Sequence, residues 1–190
     1  ESLMAENFMR VRRLSWNLPD IKDSTKASRL LEICEEAEKD QRKVLVFSYF
    51  RETLTAVSNL LGSKCVGVIT GDIPAYNRQK LVDKLAESEN GSVLVAQIEA
   101  GGVGLNIQSA SIVIFCEPQF KPSIENQAIS RIYRMGQARS VVVHRLLMCQ
   151  TIDEGILRIL KEKQLLFDRF ADESAIGAEE MRLNETEELK

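Results

Sequence analysis

The sequence has a single histidine, four cysteines and four prolines in 190 residues. Cys34, Cys65, Cys116 and Cys149 lie more than 30 positions apart and form no CxxC pair. With only His144 beside them they give no convincing zinc ligand set, so no metal site is expected and the cysteines read as reduced packing residues. No apolar run approaches the roughly 18–20 residues that a bilayer span requires, and no membrane partner is expected. The opening Glu1-Ser2-Leu3-Met4 lacks the basic-then-apolar pattern of a secretory signal. An intracellular location, cytoplasm, nucleoid or nucleus, is the expectation. GxxxxGK[ST] is absent, and with it the phosphate loop of P-loop nucleotide hydrolases.

What is present is an ordinary globular composition, 44% hydrophobic and 28% charged, which excludes wholesale disorder. The length suits one domain, or one domain with an appended helical piece. The formal net charge is −3, whereas a chain that binds nucleic acid through its overall charge is normally basic, so any polyanion site must be local. From Pro118 to Gln150 five cations, Lys121, Arg131, Arg134, Arg139 and Arg145, face one carboxylate, Glu125. From Asp172 to Lys190 two cations face seven carboxylates, the pattern of a solvated flexible tail.

Hydrophobic periodicity supplies the architecture. Residues 1–23 read as a linker segment that docks elsewhere, closed by the Pro19-Asp20 breaker. A helix is predicted over about 25–39, followed by strands over Lys43–Ser48, Cys65–Thr70, Ser92–Ala96, Ser111–Cys116 and Val141–Leu147. Helices over Arg51–Leu61, Tyr76–Glu87 and Ser123–Met135 alternate with them. Five-residue apolar runs between longer amphipathic helices indicate a doubly wound α/β domain whose parallel sheet is covered on both faces. Thr151-Ile-Asp-Glu154 then fits a capping box opening a long helix, with Ile152, Ile156, Ile159, Leu160, Leu166, Phe167 and Phe170 as an apolar stripe that needs a docking surface.

In open α/β sheets ligands gather beyond the carboxyl ends of the strands. One such loop, Ala100-Gly101-Gly102-Val103-Gly104-Leu105-Asn106, offers backbone N–H groups that approach an anion closely, or simply makes a tight turn. A dinucleotide fingerprint would need glycine at 107, where Ile107 stands, so Glu117 is not read as a ribose-binding acid. More informative is Gln127-Ala-Ile-Ser-Arg131-Ile-Tyr-Arg134-Met-Gly136-Gln137. At about 100° per residue, Arg131 lies about 40° and Arg134 about −20° from Gln127, placing all three on one helical face. Neither arginine has a carboxylate three or four positions away, so the pair points to an external anion, with two solvated arginines as the bland alternative. Trp16 and Tyr133 read as packing residues and His144 as a core or edge histidine.

Gln-x-x-x-Arg-x-x-Arg-x-Gly-Gln, preceded by Ala-Gly-Gly-Val-Gly-Leu-Asn and by the strand Val44-Leu-Val-Phe-Ser-Tyr49, resembles the second RecA-like lobe of SNF2-family DNA-dependent ATPases of helicase superfamily 2, from about Ser24 to Phe170. The resemblance implies a RecA-like lobe over 24–150, a C-terminal bracing helix over 151–173 and an acidic tail over 174–190. It implies ATP and Mg²⁺ as cofactors, held mainly by a first lobe that this sequence does not contain. Double-stranded DNA, that first lobe and a DNA-bound protein substrate are the implied partners. Arg131 and Arg134 match the arginines that reach toward the γ-phosphate. Gln127, Gly102 and Gly104 match nucleotide-side positions, and Ser48, Tyr49, Thr70, Gly71, Gln97, Gly101 and Lys121 fall where the family contacts the nucleic acid. Two positions depart from the family pattern: Ala96-Gln97-Ile98-Glu99 replaces a Ser/Thr-rich stretch, and Phe120-Lys121-Pro122 replaces Trp-Asn-Pro. The alternative is a non-catalytic RecA-like module that binds DNA or protein through Lys121, Arg139 and Arg145.

Overall fold

Five short strands form one parallel sheet in the order β2-β3-β1-β4-β5: β1 Val44–Ser48, β2 Cys65–Ile69, β3 Val93–Gln97, β4 Ile112–Phe115 and β5 Val142–Arg145. The computed structural model describes residues 2–16, 20–101, 107–133 and 139–166. Helices α1 Ser2–Arg13, α2 Thr25–Lys39, α3 Arg51–Leu61, α4 Ala75–Glu87, α5 Ile98–Gly101 and α6 Pro122–Ser130 connect or flank the strands, and α7 covers 152–166. This is the α/β, RecA-like, doubly wound arrangement expected from the alternation of apolar runs and amphipathic helices.

The parity of β1 shows why its run is continuously apolar. Val44 and Val46 enter one core with Leu30 and Ile33 of α2 and Leu54 and Val57 of α3, while Leu45 and Phe47 enter the other with Leu85 of α4 and Ala128 of α6. Successive side chains of a strand point to opposite faces, so a strand covered on both sides has no solvent face to keep polar. Phe47 and Phe115 stack across neighbouring strands at 5.6 Å between ring centroids. At the rim, β5 has both ends exposed and His144 half-buried, an edge position consistent with its expected bland role.

Cys34 and Cys116 are buried and Cys65 half-buried, as packing residues should be, but Cys149 is exposed in the turn before α7. All four are free thiols. Trp16 packs as expected, 1% exposed, with its indole N–H on the Cys116 carbonyl at 3.2 Å. Tyr133 does not pack: it is 65% exposed, because α6 stops at Ser130 and Tyr133 lies in the bend beyond it.

The segment before α2 packs on this same sheet. Arg12 is 2% exposed, its Nη2 donates to the Pro118 carbonyl at 2.5 Å, and its guanidinium lies 4.3 Å from the Phe120 ring centroid. Phe8 meets Phe120 at 5.4 Å between centroids. The α7 helix starts where the capping signal puts it, with the Thr151 hydroxyl accepting from Asp153 N at 3.3 Å. Asp153, however, is the acid that turns back into the fold. Its carboxylate accepts from Met148 N at 3.1 Å and pairs with Lys26 of α2 at 2.7 Å, with both side chains almost wholly buried. Ile156 is buried beneath α7, whereas Ile159 and Leu166 are exposed; Phe167 and Phe170 of the stripe lie outside the described residues.

A buried ion pair broken on one side leaves a desolvated charge without a partner, which costs about 3–5 kcal/mol. Asp153→Ala or Lys26→Met should each lower unfolding stability by that order in urea titrations. The double replacement Lys26→Met with Asp153→Leu should recover most of the loss, because neither charge is then stranded.

Candidate nucleotide and nucleic-acid site

The carboxyl ends of β1, β2 and β3 carry most of the nominated polar residues, and the structure binds those residues to one another. Gln97, at the end of β3, which lies between β2 and β1, accepts from Gly71 N at 3.2 Å and donates from Nε2 to the Tyr49 carbonyl at 3.5 Å. One amide side chain thus spans the ends of β1 and β2. Arg78 of α4, unremarked in the sequence, closes the same corner: it donates to the carbonyls of Ile73 at 2.6 Å, Gly71 at 2.8 Å and Ala100 at 3.3 Å. The 70–74 turn is therefore fixed to α5, the short helix that leads into the glycine loop. At its exposed rim Arg51 pairs with Asp72 at 2.6 Å, which holds the Asp72 carboxyl below its ordinary pKa through a hydrogen bond and its charge. Thr70 is half-buried, and its carbonyl accepts from Ile73 N at 3.2 Å to close the turn.

Ser48 is fully buried and its hydroxyl faces inward, against the expectation of a nucleic-acid contact. It donates to the Glu117 carboxylate at 3.0–3.1 Å and accepts from Phe50 N at 3.1 Å. Glu117 also accepts from Tyr49 N at 2.6 Å and from Gln119 Nε2 at 3.4 Å. The reason is topological: β1 and β4 are neighbours, so the side chain that ends one strand meets the first residues beyond the other.

Helix α6 is shorter than its periodicity predicts. Arg131 is its C-cap with φ −76° and ψ −20°, and Ile132 N turns back to the Ile129 carbonyl at 3.0 Å, the tighter bonding common at helix ends. The common helical face drawn for Gln127, Arg131 and Arg134 can be followed as far as Arg131. Arg134, Gly102 and Gly104 lie outside the described residues. Arg131 is half-buried, and its carbonyl accepts from Ile107 N at 3.2 Å, which ties the first described residue after the glycine loop to the first arginine. Gly101, the last residue of α5, stands at the other end of that loop. Gln127 and Lys121 share a cleft of about 620 Å³ between α6 and α7, with Asn126, Ser130 and Lys163 on its walls.

The basic stretch expected around Lys121, Arg139 and Arg145 is not one surface. Arg145 donates from Nε to Glu125 at 2.6 Å, at the carboxyl end of β5. Arg139 donates to the carbonyls of Asp40 and Gln41, beside the amino end of β1. Sequence proximity placed them together, and the intervening strand β5 separates them.

Residues 25–136 match the family described as helicase conserved C-terminal domain. The chain is 32% identical over 149 residues to an uncharacterized ATP-dependent helicase of Mycoplasma genitalium, covering 77% of this chain and 14% of the relative. It is 32% identical over 173 residues to the DNA repair protein RAD5B of Arabidopsis thaliana, covering 89% of this chain and 13% of that protein. The chain thus spans about a seventh of the length of the curated relatives it matches. Among solved structures, the C-terminal part of the Fun30 ATPase domain superimposes with a TM-score of 0.70 at 28% identity, covering 83% of this chain and 52% of that one. The Sulfolobus solfataricus SWI2/SNF2 ATPase core does so with a TM-score of 0.71 at 25% identity, covering 88% and 36%.

Burial raises the Glu117 carboxyl above its ordinary pKa, against the opposing effects of the Tyr49 and Ser48 hydrogen bonds and the charges of Arg12 and Lys26. The folded protein then keeps this proton at pH values where the unfolded chain has released it, so this group's contribution to stability falls as pH rises through that window. Glu117→Gln removes the titration and retains an acceptor for Ser48 and Tyr49. Denaturant midpoints measured from pH 4 to 8 should therefore shift in favour of the variant, relative to the wild type, as pH rises above about 4.3.

Proposed function

Because the chain belongs to the helicase conserved C-terminal domain family, as the C-terminal lobe of an SNF2-type ATP-dependent helicase, we propose that it is the second half of an ATP-driven double-stranded-DNA translocase. In this reading residues 24–150 are the working lobe and 151–173 its brace. A first lobe of the same full-length protein binds ATP and Mg²⁺. The observation that carries the reading is the Ile107–Arg131 hydrogen bond. It ties the residue that follows the glycine loop, the segment assigned to couple DNA and nucleotide, to the backbone of an assigned arginine finger, with Gln127 four residues earlier on α6.

The residues fit a nucleotide from one side. The sequence has no phosphate loop, and among the described residues no group of three His, Cys, Asp or Glu is placed to hold a metal ion. ATP supplies the phosphoryl group whose transfer to water drives movement, with Mg²⁺ offsetting its charge. The guanidiniums of Arg131 and Arg134 stabilise the charge that develops on that group, a contribution worth on the order of 10³–10⁵ in rate. Gln127 orients the nucleotide and the backbone N–H groups of Gly102 and Gly104 line its pocket. Tyr49, Thr70, Gly71, Gly101 and Lys121 meet the DNA backbone, where contacts position a protein without reading sequence. Gln97 and Ser48 serve that surface by holding it, through the bonds to Gly71 and Glu117. A relative named a DNA repair protein and a neighbouring structure titled as a complex with double-stranded DNA support the choice of track.

The isolated chain should hydrolyse no ATP. Reconstituted with its first lobe and a duplex, it should show DNA-stimulated turnover that falls by about 10³-fold or more in Arg131→Ala and in Arg134→Ala. Unchanged turnover in both would remove the finger assignment and leave the non-catalytic module. In the same assembly Lys121→Gln should weaken duplex binding and reduce the slope of log K against log salt by about one, as loss of one phosphate contact does.

A further inference from the structure

The end of the sheet opposite the nominated residues carries a second concentration of cations. A cavity of about 280 Å³ opens beside the amino ends of β1 and β4, lined by Arg42, Lys43, Arg139, Asn90, Gln108 and Ser109, with Gln41 and Ser111 completing its wall. No carboxylate is among those lining residues, although the chain as a whole carries a formal charge of −3. Three cations converge there because backbone carbonyls hold them. Arg139 Nη1 donates to Gln41 O at 2.7 Å and Asp40 O at 3.3 Å, Arg42 Nη1 to Ser140 O at 3.4 Å, and Lys43 Nζ to Ala86 O at 2.7 Å. A guanidinium has five N–H donors, and these bonds engage a single nitrogen of each arginine.

A second, independent feature marks the same cavity. The Ser109 hydroxyl is buried and has no hydrogen-bond partner among the described residues. Native structures rarely leave a buried polar group unpaired, and such a group calls for a bound partner. The volume lies just below the roughly 300–1,000 Å³ of pockets for drug-sized ligands, which suits a small polar group better than a whole nucleotide. Planar guanidinium forks match the oxygens of phosphate, and a hydroxyl adds one more donor.

We infer that the juxtaposition of Arg42, Arg139 and the Ser109 hydroxyl beside the amino ends of β1 and β4 binds a single phosphate group, at the opposite end of the sheet from the proposed nucleotide and DNA site. The phosphate is either a free anion or part of a nucleic-acid backbone, and one experiment distinguishes them. Backbone amide spectra of the full chain are recorded during titration with inorganic phosphate, with sodium chloride at matched ionic strength, and with a short DNA duplex. Phosphate should shift the amides of Arg42, Ser109 and Ser111 where chloride does not. Arg42→Gln should weaken phosphate binding roughly tenfold, the loss expected for a charge-assisted hydrogen bond. Ser109→Ala should weaken it several-fold and leaves every guanidinium–carbonyl tie in place, so it tests the site without the risk of unfolding. A duplex that moves the same amides and competes with phosphate identifies a backbone phosphate; a response to inorganic phosphate alone identifies a free anion. Shifts no larger than those with chloride, or unchanged phosphate affinity in both variants, would overturn the site.

Discussion

The backbone carbonyls just beyond β4, those of Cys116 and Pro118, are the point on which the rest of the lobe is assembled. A parallel strand that ends inside the protein leaves backbone acceptors that need donors, because a buried carbonyl without a partner is costly. Here the donors are side chains from distant parts of the sequence: Trp16 and Lys26 on Cys116, and Arg12 on Pro118. Two of the three donors are charged, so carboxylates had to come with them. Asp153 meets Lys26 directly, and the charge of Glu117 acts on both Arg12 and Lys26. Segments more than 100 residues apart are thereby joined at one buried polar centre.

That centre also shapes the strand ends on which the proposed DNA contacts lie. Glu117 holds Ser48 and the Tyr49 amide, and Gln97 continues the chain of bonds to Gly71. The loops at three strand ends are thus held by two polar side chains rather than by their own local propensity. Arg78 adds the 70–74 turn and α5 to the same assembly. The proposed contact with a regular phosphate backbone would gain from this arrangement, since positions set by buried hydrogen bonds lose little freedom on binding. Across the sheet Arg139 and Arg42 do the equivalent for the amino ends of the strands, again through carbonyls.

Much of this was legible before the fold was known. The strands at Val44, Cys65, Val93 and Ile112 and the helices at Thr25, Arg51 and Ala75 begin within a residue or so of where apolar periodicity puts them. The glycine loop and the Gln127–Arg131 spacing marked the candidate site by chemistry. Less legible was the end of α6: Ile132 and Met135 continue an apolar period, but at Ser130 the chain turns to bond with Ile107, a contact 24 positions away that no local pattern encodes. Ser48 misled for a related reason. A hydroxyl at a strand end is suited equally to a phosphate and to a neighbouring carboxylate, and the order of strands chose Glu117. Arg12, Lys26 and Arg78 gave no signal at all, since a lone cation in an amphipathic helix reads as a solvated one.

The sequence by itself determined the layers, the parallel sheet with two covered faces, the start of the C-terminal helix and the family to which the lobe belongs. Those properties follow from periodicity, capping residues and short motifs, all of which act over a few turns of chain. Only the tertiary structure decided which charged side chains are buried, which nominated residues face inward, and how a net basic stretch divides between two ends of the sheet. The physical reason is that burial and pairing of a charge depend on the groups brought to it across the whole fold, and a side chain's own neighbours in sequence do not carry that information.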